Sequence, residues 1–389
     1  MKQKNILYKF LYFLLIITFA FSFIACSNNK NINEKNGIEN TVTKTITETK
    51  ETTSKSLDEN ELNNKINSIP PKNTSQQRLD LLIQIDDFVR NSVSGNSFSP
   101  KIFSFIKIRL DQALKEIPQT KVPKGNVKIW YIYNMGIIAK SEDKTIAIDL
   151  GADYVYPSIS AFTKYIDILL ITHFHSDHIG LSVLKEAINS GVAVIVPDDK
   201  VVLKKNMFVR DPNGEDAVSL LKRLNNANWN NLIYLNPQEK TMIKDIEITA
   251  YPSIHVNNPD EEGSYFDIPI NWYYVNLHGF TILHMGDGTS FNYEPDFINK
   301  DIDVFITHST NLDDRTRDTL DKFITTNIKT ILPMHILELG HGPDILNKNS
   351  DCFMTYQSIL DNYSNGYYKG FEGKIKFIPI IWGESISNT

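Results

Sequence analysis

Apolar and polar positions fall in blocks along this chain, and the period of each block predicts an element. Leu82, Ile85, Val89 and Val93 recur at helical spacing, and so do Ile102, Ile106, Leu110, Ala113 and Ile117 after Ser99-Pro100, a cap followed by proline in the first turn. Separated by Ser94-Gly95-Asn96 and ended by Pro118, the two predict a helical hairpin over 76–118. From 122 onward strand-like runs dominate. They cover 127–139 and 145–150, joined by the polar turn 141–144, then 166–171, a helix from Leu181, and 192–196 ended by Pro197. The polar stretch 200–236 reads as an insertion carrying a helix near 217–224. Strands resume at 246–251, 272–277 and 280–285, the last two turning at His278-Gly279, and again at 304–307 and 330–332. A helix with Leu312, Thr316, Leu320 and Phe323 on one side precedes 330–332, and 374–382 is expected to complete a second sheet.

The ends of the chain follow other rules. Lys2, Lys4 and Lys9 stand ahead of an apolar run over 10–25, the layout of a secretory signal and short for a permanent membrane anchor. Phe23-Ile24-Ala25-Cys26 resembles the lipobox of bacterial lipoproteins, with Phe where Leu is usual, which implies a lipid on Cys26 and an exported, envelope-anchored protein. Residues 26–75 are rich in Asn, Lys, Thr, Glu and Ser and contain no aromatic side chain, so they are expected to be a disordered tether. Domain boundaries follow: signal peptide 1–25, tether 26–75, helical hairpin 76–118 and a main domain over 122–389.

Composition narrows the partners. With 389 residues, 41% apolar and 11% aromatic, the chain can bury a large core. Its net charge is −6, and the leader carries lysines but no acid, so what remains is more acidic still. Such a domain is a poor binder of nucleic-acid backbones, and acyl chains rather than charge would hold it at a membrane. Cys26 and Cys352 are the two cysteines, so a lipid on the first leaves no internal disulfide.

Candidate chemistry concentrates in Thr172-His173-Phe174-His175-Ser176-Asp177-His178-Ile179-Gly180, on the loop between the 166–171 strand and the Leu181 helix. In an extended segment His173 and His175 point to one side, while Asp177 and His178 diverge, a pattern suited to two neighbouring ions. All nine histidines lie between His173 and His341. Strand alternation turns Leu283, Met285 and Asp287 one way and His284 the other, which keeps His284 from Asp287. His278 is expected to be solvated in its turn, His308 to face the site as a proton donor or substrate contact, and His341 to line the rim.

The H-x-H-x-D-H run resembles the signature of the metallo-β-lactamase superfamily, and Asp149-Leu150-Gly151 fits the same resemblance. The resemblance implies an α+β fold, an αββα sandwich, here with the helical hairpin as an N-terminal extension. It implies that His173, His175 and His255 hold one ion, that Asp177, His178 and His335 hold another, and that Asp287 bridges them. Two divalent ions are expected, zinc first, with manganese or iron also suited to these donors. Pro252-Ser253-Ile254-His255, Met285-Gly286-Asp287 and Ile331-Leu332-Pro333-Met334-His335 resemble the branch of ascorbate-6-phosphate lactonase and N-acyl phosphatidylethanolamine phospholipase D. The implied activity is hydrolysis of a phosphodiester or ester, small or lipid-derived, by hydroxide generated between the two metals, with Asp177 orienting it. A lactone or β-lactam hydrolase and a non-enzymatic metal-binding surface lipoprotein are the alternatives. The acidic loop 257–263 beside His255 is expected either to disfavour strongly anionic substrates or to move aside for them. Oligomeric state has no signature in this sequence.

Overall fold

Short, β-branched-rich runs bounded by turns assemble into two sheets in the computed structural model, which describes residues 58–72, 75–197, 217–227, 229–253, 255, 270–289, 291–308, 328–348, 354–365 and 375–388. In chain order, helices α1 (Glu59–Ser68) and α2 (Gln76–Arg90) lead to the ribbon β1 (Val93–Ser94) and β2 (Ser97–Phe98), and α3 (Pro100–Gln119) follows. The first half of the main domain contains β3 (Lys128–Tyr131), β4 (Ile137–Lys140), β5 (Thr145–Ile148), β6 (Ile168–Leu170), α4 (Leu181–Asn189), β7 (Ala193–Val196), α5 (Ala217–Asn226) and β8 (Leu232–Tyr234). The second half contains β9 (Thr241–Ile243), β10 (Ile246–Ser253), β11 (Ile270–Leu277), β12 (Phe280–His284), β13 (Ile302–His308), β14 (Ile328–Met334), α6 (Tyr356–Asn365), β15 (Lys376–Phe377) and β16 (Ser385–Ser387).

One sheet runs β16-β3-β4-β5-β6-β7-β8 and the other β15-β14-β13-β12-β11-β10-β9. Each is antiparallel at one end and parallel where strands feed the site: β5 to β8 pair parallel, as do β12 to β15. Parallel strands buried on both faces read as unbroken apolar runs, as in Ala193–Val196, where every residue is buried. The α+β sandwich of two sheets with helices, expected from the resemblance, is the observed fold.

Several boundaries differ from expectation, each for a physical reason. The apolar run 127–139 is two antiparallel strands, β3 and β4, because the chain reverses between Tyr131 and Ile137. Asn134 takes the left-handed conformation in that reversal (φ 53°), and Gly136 donates its N–H to Tyr133 at 2.6 Å. The stretch around 232–234, expected within an insertion, forms the parallel edge strand β8. Within the run 374–382 only Lys376–Phe377 forms a strand, β15, which closes the second sheet, and β16, beyond the run, crosses over to pair with β3 in the first. Helix α3 continues one residue past Pro118. Part of the expected tether is also ordered, since α1 is a helix capped by Asp58, whose carboxylate accepts from the Glu61 N–H, and it buries Leu62, Asn63 and Ile66. Three buried positions on one face suffice to dock a short polar helix. The signal segment, Cys26, the acidic loop 257–263 and the helix expected around 312–324 lie outside the described residues. Among the described residues no helix is long and apolar enough to cross a membrane.

The N-terminal helices are fastened to the C-terminal segment by buried polar contacts. Arg78 pairs bidentately with Glu384 (2.8 and 2.6 Å) and donates to the Pro379 carbonyl. Arg109 donates to the Trp382 carbonyl and to Asn63 and Asn67 of α1. Asp86 of α2 accepts from the N–H groups of Tyr356 and Gln357 at the start of α6. Burial pushes Asp86 up to about 7, against the pull of those backbone donors.

Two tests follow from this clasp. Arg78→Ala leaves Glu384 charged and buried, and is expected to cost about 3–5 kcal/mol in denaturant unfolding, whereas Arg78→Met with Glu384→Leu should cost far less. A carboxyl raised in the folded state favours the protonated form there. Its contribution is therefore full below the unfolded value near 4 and is lost as pH rises through about 7. Unfolding free energies measured between pH 4 and pH 8 should fall across that window in the wild type and show a shallower slope in Asp86→Asn.

Candidate metal centre

Side chains at the ends of strands from both sheets converge on one carboxylate. Asp287 follows β12, and its Oδ2 lies 3.1 Å from His178 Nε2, 3.6 Å from His173 Nε2, 3.6 Å from His255 Nε2 and 3.9 Å from His335 Nε2. His173, His175 and His178 come from the loop after β6, His255 from the segment after β10, and His335 from the end of β14. On the other side of Asp287, His335 Nε2 and His178 Nε2 lie 3.6 and 3.4 Å from Asp177 Oδ2. Two overlapping groups result, His173–His175–His255–Asp287 and Asp177–His178–Asp287–His335. Within each, one potential ligand atom per residue lies within 4.8 Å of all the others.

Local structure explains the convergence. After β6 the chain turns back on itself, the N–H groups of His178 and Ile179 both bonding the His175 carbonyl, so Asp177 and His178 swing to the far side of the loop from His175. Gly151 allows that turn to sit close: a Cβ there would come within 2.3 Å of the Asp177 and His178 backbone. Gly286, at φ 54°, plays the same part under Asp287, where a Cβ would meet Thr172 Oγ1 at 2.7 Å. Asn271 donates its N–H to the Thr172 carbonyl, joining the second sheet to the loop itself.

A set of further groups orients the imidazoles. Asp149, fully buried and at φ 53°, accepts from Thr172 N–H (2.8 Å) and Thr172 Oγ1 (2.6 Å), and its Oδ2 lies 2.8 Å from His178 Nδ1. That contact fixes which nitrogen of His178 faces Asp287. His335 Nδ1 rests on Met354 Sδ at 3.1 Å, and Thr172 Oγ1 lies 3.1 Å from His173 Nδ1. Asn134 donates to Asp177 Oδ2 at 2.7 Å.

Charge in the cluster is uneven. Burial first, and then the neighbouring imidazoles, hold His173 well below the usual histidine range and push His175 down to about 3, so both are neutral with lone pairs to share. Burial also disfavours a charge on His178, yet Asp287, Asp177 and Asp149 outweigh it and hold that ring well above its usual value. Against the cost of burial, that cationic ring holds Asp177 and Asp287 well below the carboxylate range. Burial disfavours a charge on His335 too, yet Asp287 and Asp177 outweigh it and raise that ring above its usual value.

These residues fit a pair of metal ions on two grounds of this structure. The donor set is imidazole nitrogen and carboxylate oxygen, and Asp287 Oδ1 is buried without a hydrogen bond. His173 Nε2 and His175 Nδ1, 3.0 Å apart, face each other as two neutral rings would when sharing one ion.

Comparison with known proteins agrees with the geometry. Residues 129–335, more than half of the chain, match the family described as beta-lactamase superfamily domain. The chain belongs to the metallo-β-lactamase superfamily. Solved structures similar to this member include Igni18, a metallo hydrolase from the archaeon Ignicoccus hospitalis, at 17% identity over 68% of this chain and 99% of that one, TM-score 0.43. Others are the metallo-β-lactamase fold protein YhfI from Bacillus subtilis (12%, 68% and 100%, TM-score 0.44) and an isothiocyanate hydrolase from Delia radicum gut bacteria (14%, 67% and 98%, TM-score 0.43). No curated protein matches this sequence.

All seven expected ligands of this superfamily member lie together. His284 faces away, donating from Nε2 to the Met135 carbonyl. His278 sits in its turn, at φ 55°, beside Asp143. His308 ends β13 with Nε2 3.8 Å from Asp287 Oδ1 and its ring centroid 4.0 Å from that of His335, at the site but not in either ligand group. His341 lies 5.9 Å from His335, ring to ring, and 3.5 Å from buried Glu338. Sequence reasoning missed Asn134, and gave no positioning role to Asp149, Thr172 or Glu338. Asn beside Gly136, and Thr and Asp at strand ends, were the available signals. Replacing Asp149 by Asn should weaken metal binding about 10–100-fold, the usual effect of losing a carboxylate behind a ligating imidazole, as measured by competition with a chelating dye.

Proposed function

We propose that this protein is a hydrolase that uses two divalent ions to cleave a phosphodiester or ester, of a small or lipid-derived substrate, at the cell envelope. One observation carries the reading: two ligand groups that share Asp287, each with its donor atoms within 4.8 Å of one another. His173, His175 and His255 would hold one ion, and Asp177, His178 and His335 the other, with Asp287 between. When bound, the ions would lower the pKa of a water between them and polarise the bond under attack.

The protein's own groups would do the rest. Asp177, partly exposed while its partners are buried, faces the solvent side of the cluster and is the group that could orient attacking water and take its proton. His308 reaches Asp287 from the opposite oxygen and could carry a proton toward a departing group. The location rests on the charged leader, its apolar run and the lipobox-like Phe23-Ile24-Ala25-Cys26. Zinc is the first candidate, and manganese or iron suit the same donors.

Elemental analysis of metal-supplied protein should give about two equivalents per chain, and a metal-free result would reject the reading. Asp177→Asn should leave the thermal transition in place while lowering kcat by about 10²–10⁴-fold. A panel of bis-p-nitrophenyl phosphate, p-nitrophenyl esters, lactones and chromogenic lactams, assayed with zinc and with manganese, would rank the substrate classes. Preferential turnover of lactones or lactams would replace the phosphodiester and ester reading.

A further inference from the structure

We propose that Asn134 is the positioning residue that builds the second of the two ion sites, an inference that rests on the two-ion reading above. Asn134 is fully buried in the reversal between β3 and β4. It touches three of the four residues of one ligand group, two through its side-chain nitrogen and one through its main-chain carbonyl. Its Nδ2 donates to Asp177 Oδ2 at 2.7 Å, the same nitrogen lies 3.4 Å from His178 Nε2, and its carbonyl accepts the N–H of His335 at 3.0 Å. None of its contacts reaches His173, His175 or His255.

The amide orientation is set by charge. Turning it over would put oxygen against the Asp177 carboxylate, so the nitrogen faces the site and Oδ1 is left buried without a hydrogen bond. A buried amide with one half unsatisfied is costly, and what it achieves is to fix Asp177. That carboxylate is the one ligand of the group that is not itself buried, and without a tether it could rotate toward solvent. The backbone contributes too. The left-handed φ of 53° at Asn134 and of 61° at His335 let the two segments meet through the His335 N–H, so the turn sets the height of the His335 ring as well as the direction of Asp177.

Side-chain and backbone roles can be separated, because glycine keeps the left-handed conformation and removes only the amide. Full-length protein freed of metal by chelation would be titrated with cobalt(II), following the visible ligand-field bands and bound metal by elemental analysis. The wild type is expected to take two ions. Asn134→Gly should keep the first with unchanged affinity and bind the second about 10–100-fold more weakly. Asn134→Ser, too short to reach Asp177, should show the same selective loss, so whichever variant folds decides. In an Asp177→Ala background Asn134→Gly should add no more than about twofold, since it acts through that carboxylate. Wild-type affinity for both ions in the variants, equal weakening of both, or full additivity with Asp177→Ala would overturn the proposal. A wild type that takes up no cobalt would instead sink the two-ion reading on which it rests.

Discussion

Four imidazole nitrogens, from His173, His178, His255 and His335, stand within 4 Å of one buried carboxylate oxygen, Asp287 Oδ2. Such a gathering is unfavourable by itself. Each ring loses hydration, and neutral rings turn lone pairs toward one another. It persists only if cations, protons or metals, lie among the lone pairs and if the backbone leaves the side chains no other place. The fold supplies the second condition. His173, Asp287, His308 and His335 sit at or just past the ends of β6, β12, β13 and β14, and parallel pairing holds neighbouring strands of each sheet in fixed register. The backbones of His173, His308 and His335 can leave Asp287 only if a strand end moves.

How far this was legible in the sequence depends on how local the information is. Four ligands lie within six residues, so the H-x-H-x-D-H run could be read directly, and period-two alternation was enough to turn His284 away from the side of Asp287, whose place in the site came from the family resemblance. Strand ends could place His255 and His335 near the edge, but only the family resemblance joined them to the first loop. Asn134 was hidden by its surroundings. The run 127–139 is almost wholly apolar, because β3 and β4 are both buried, and continuous hydrophobicity conceals a reversal that two residues, Asn134 and Gly136, produce. Helix α1 was missed for the opposite reason: a polar segment with three buried positions has the composition of a tether, and only the face it presents to α3 gives it structure. The crossing of β16 to the first sheet depends on contacts with residues more than two hundred positions away, which no window of sequence contains.

The reversal at 132–136 joins two parts of the molecule that seem unrelated in sequence. Consecutive residues there face opposite ways. Asn134 reaches Asp177, while Tyr133 stacks on Trp382 with ring centroids 6.0 Å apart and accepts the Leu339 N–H at its hydroxyl. Trp382 is held by Arg109 through its carbonyl, and two residues on Glu384 is held by Arg78. Leu339 begins the turn whose Glu338 carboxylate accepts from the Gly340 and His341 N–H groups, four residues beyond His335. The N-terminal helices therefore bear on the candidate metal centre without touching it. They immobilise the C-terminal segment, that segment seats Tyr133, and Tyr133 and Asn134 together fix the reversal on which Asp177 and His335 lean. A two-sheet sandwich could bring seven ligands near one another without this support, but the rotation of Asp177 and the height of His335 would then be set by side-chain torsions alone. In this chain the height of His335 is set by backbone, and the direction of Asp177 by an amide whose own backbone is held in the same reversal, a more rigid reference for an ion pair whose geometry tolerates only a fraction of an ångström of error.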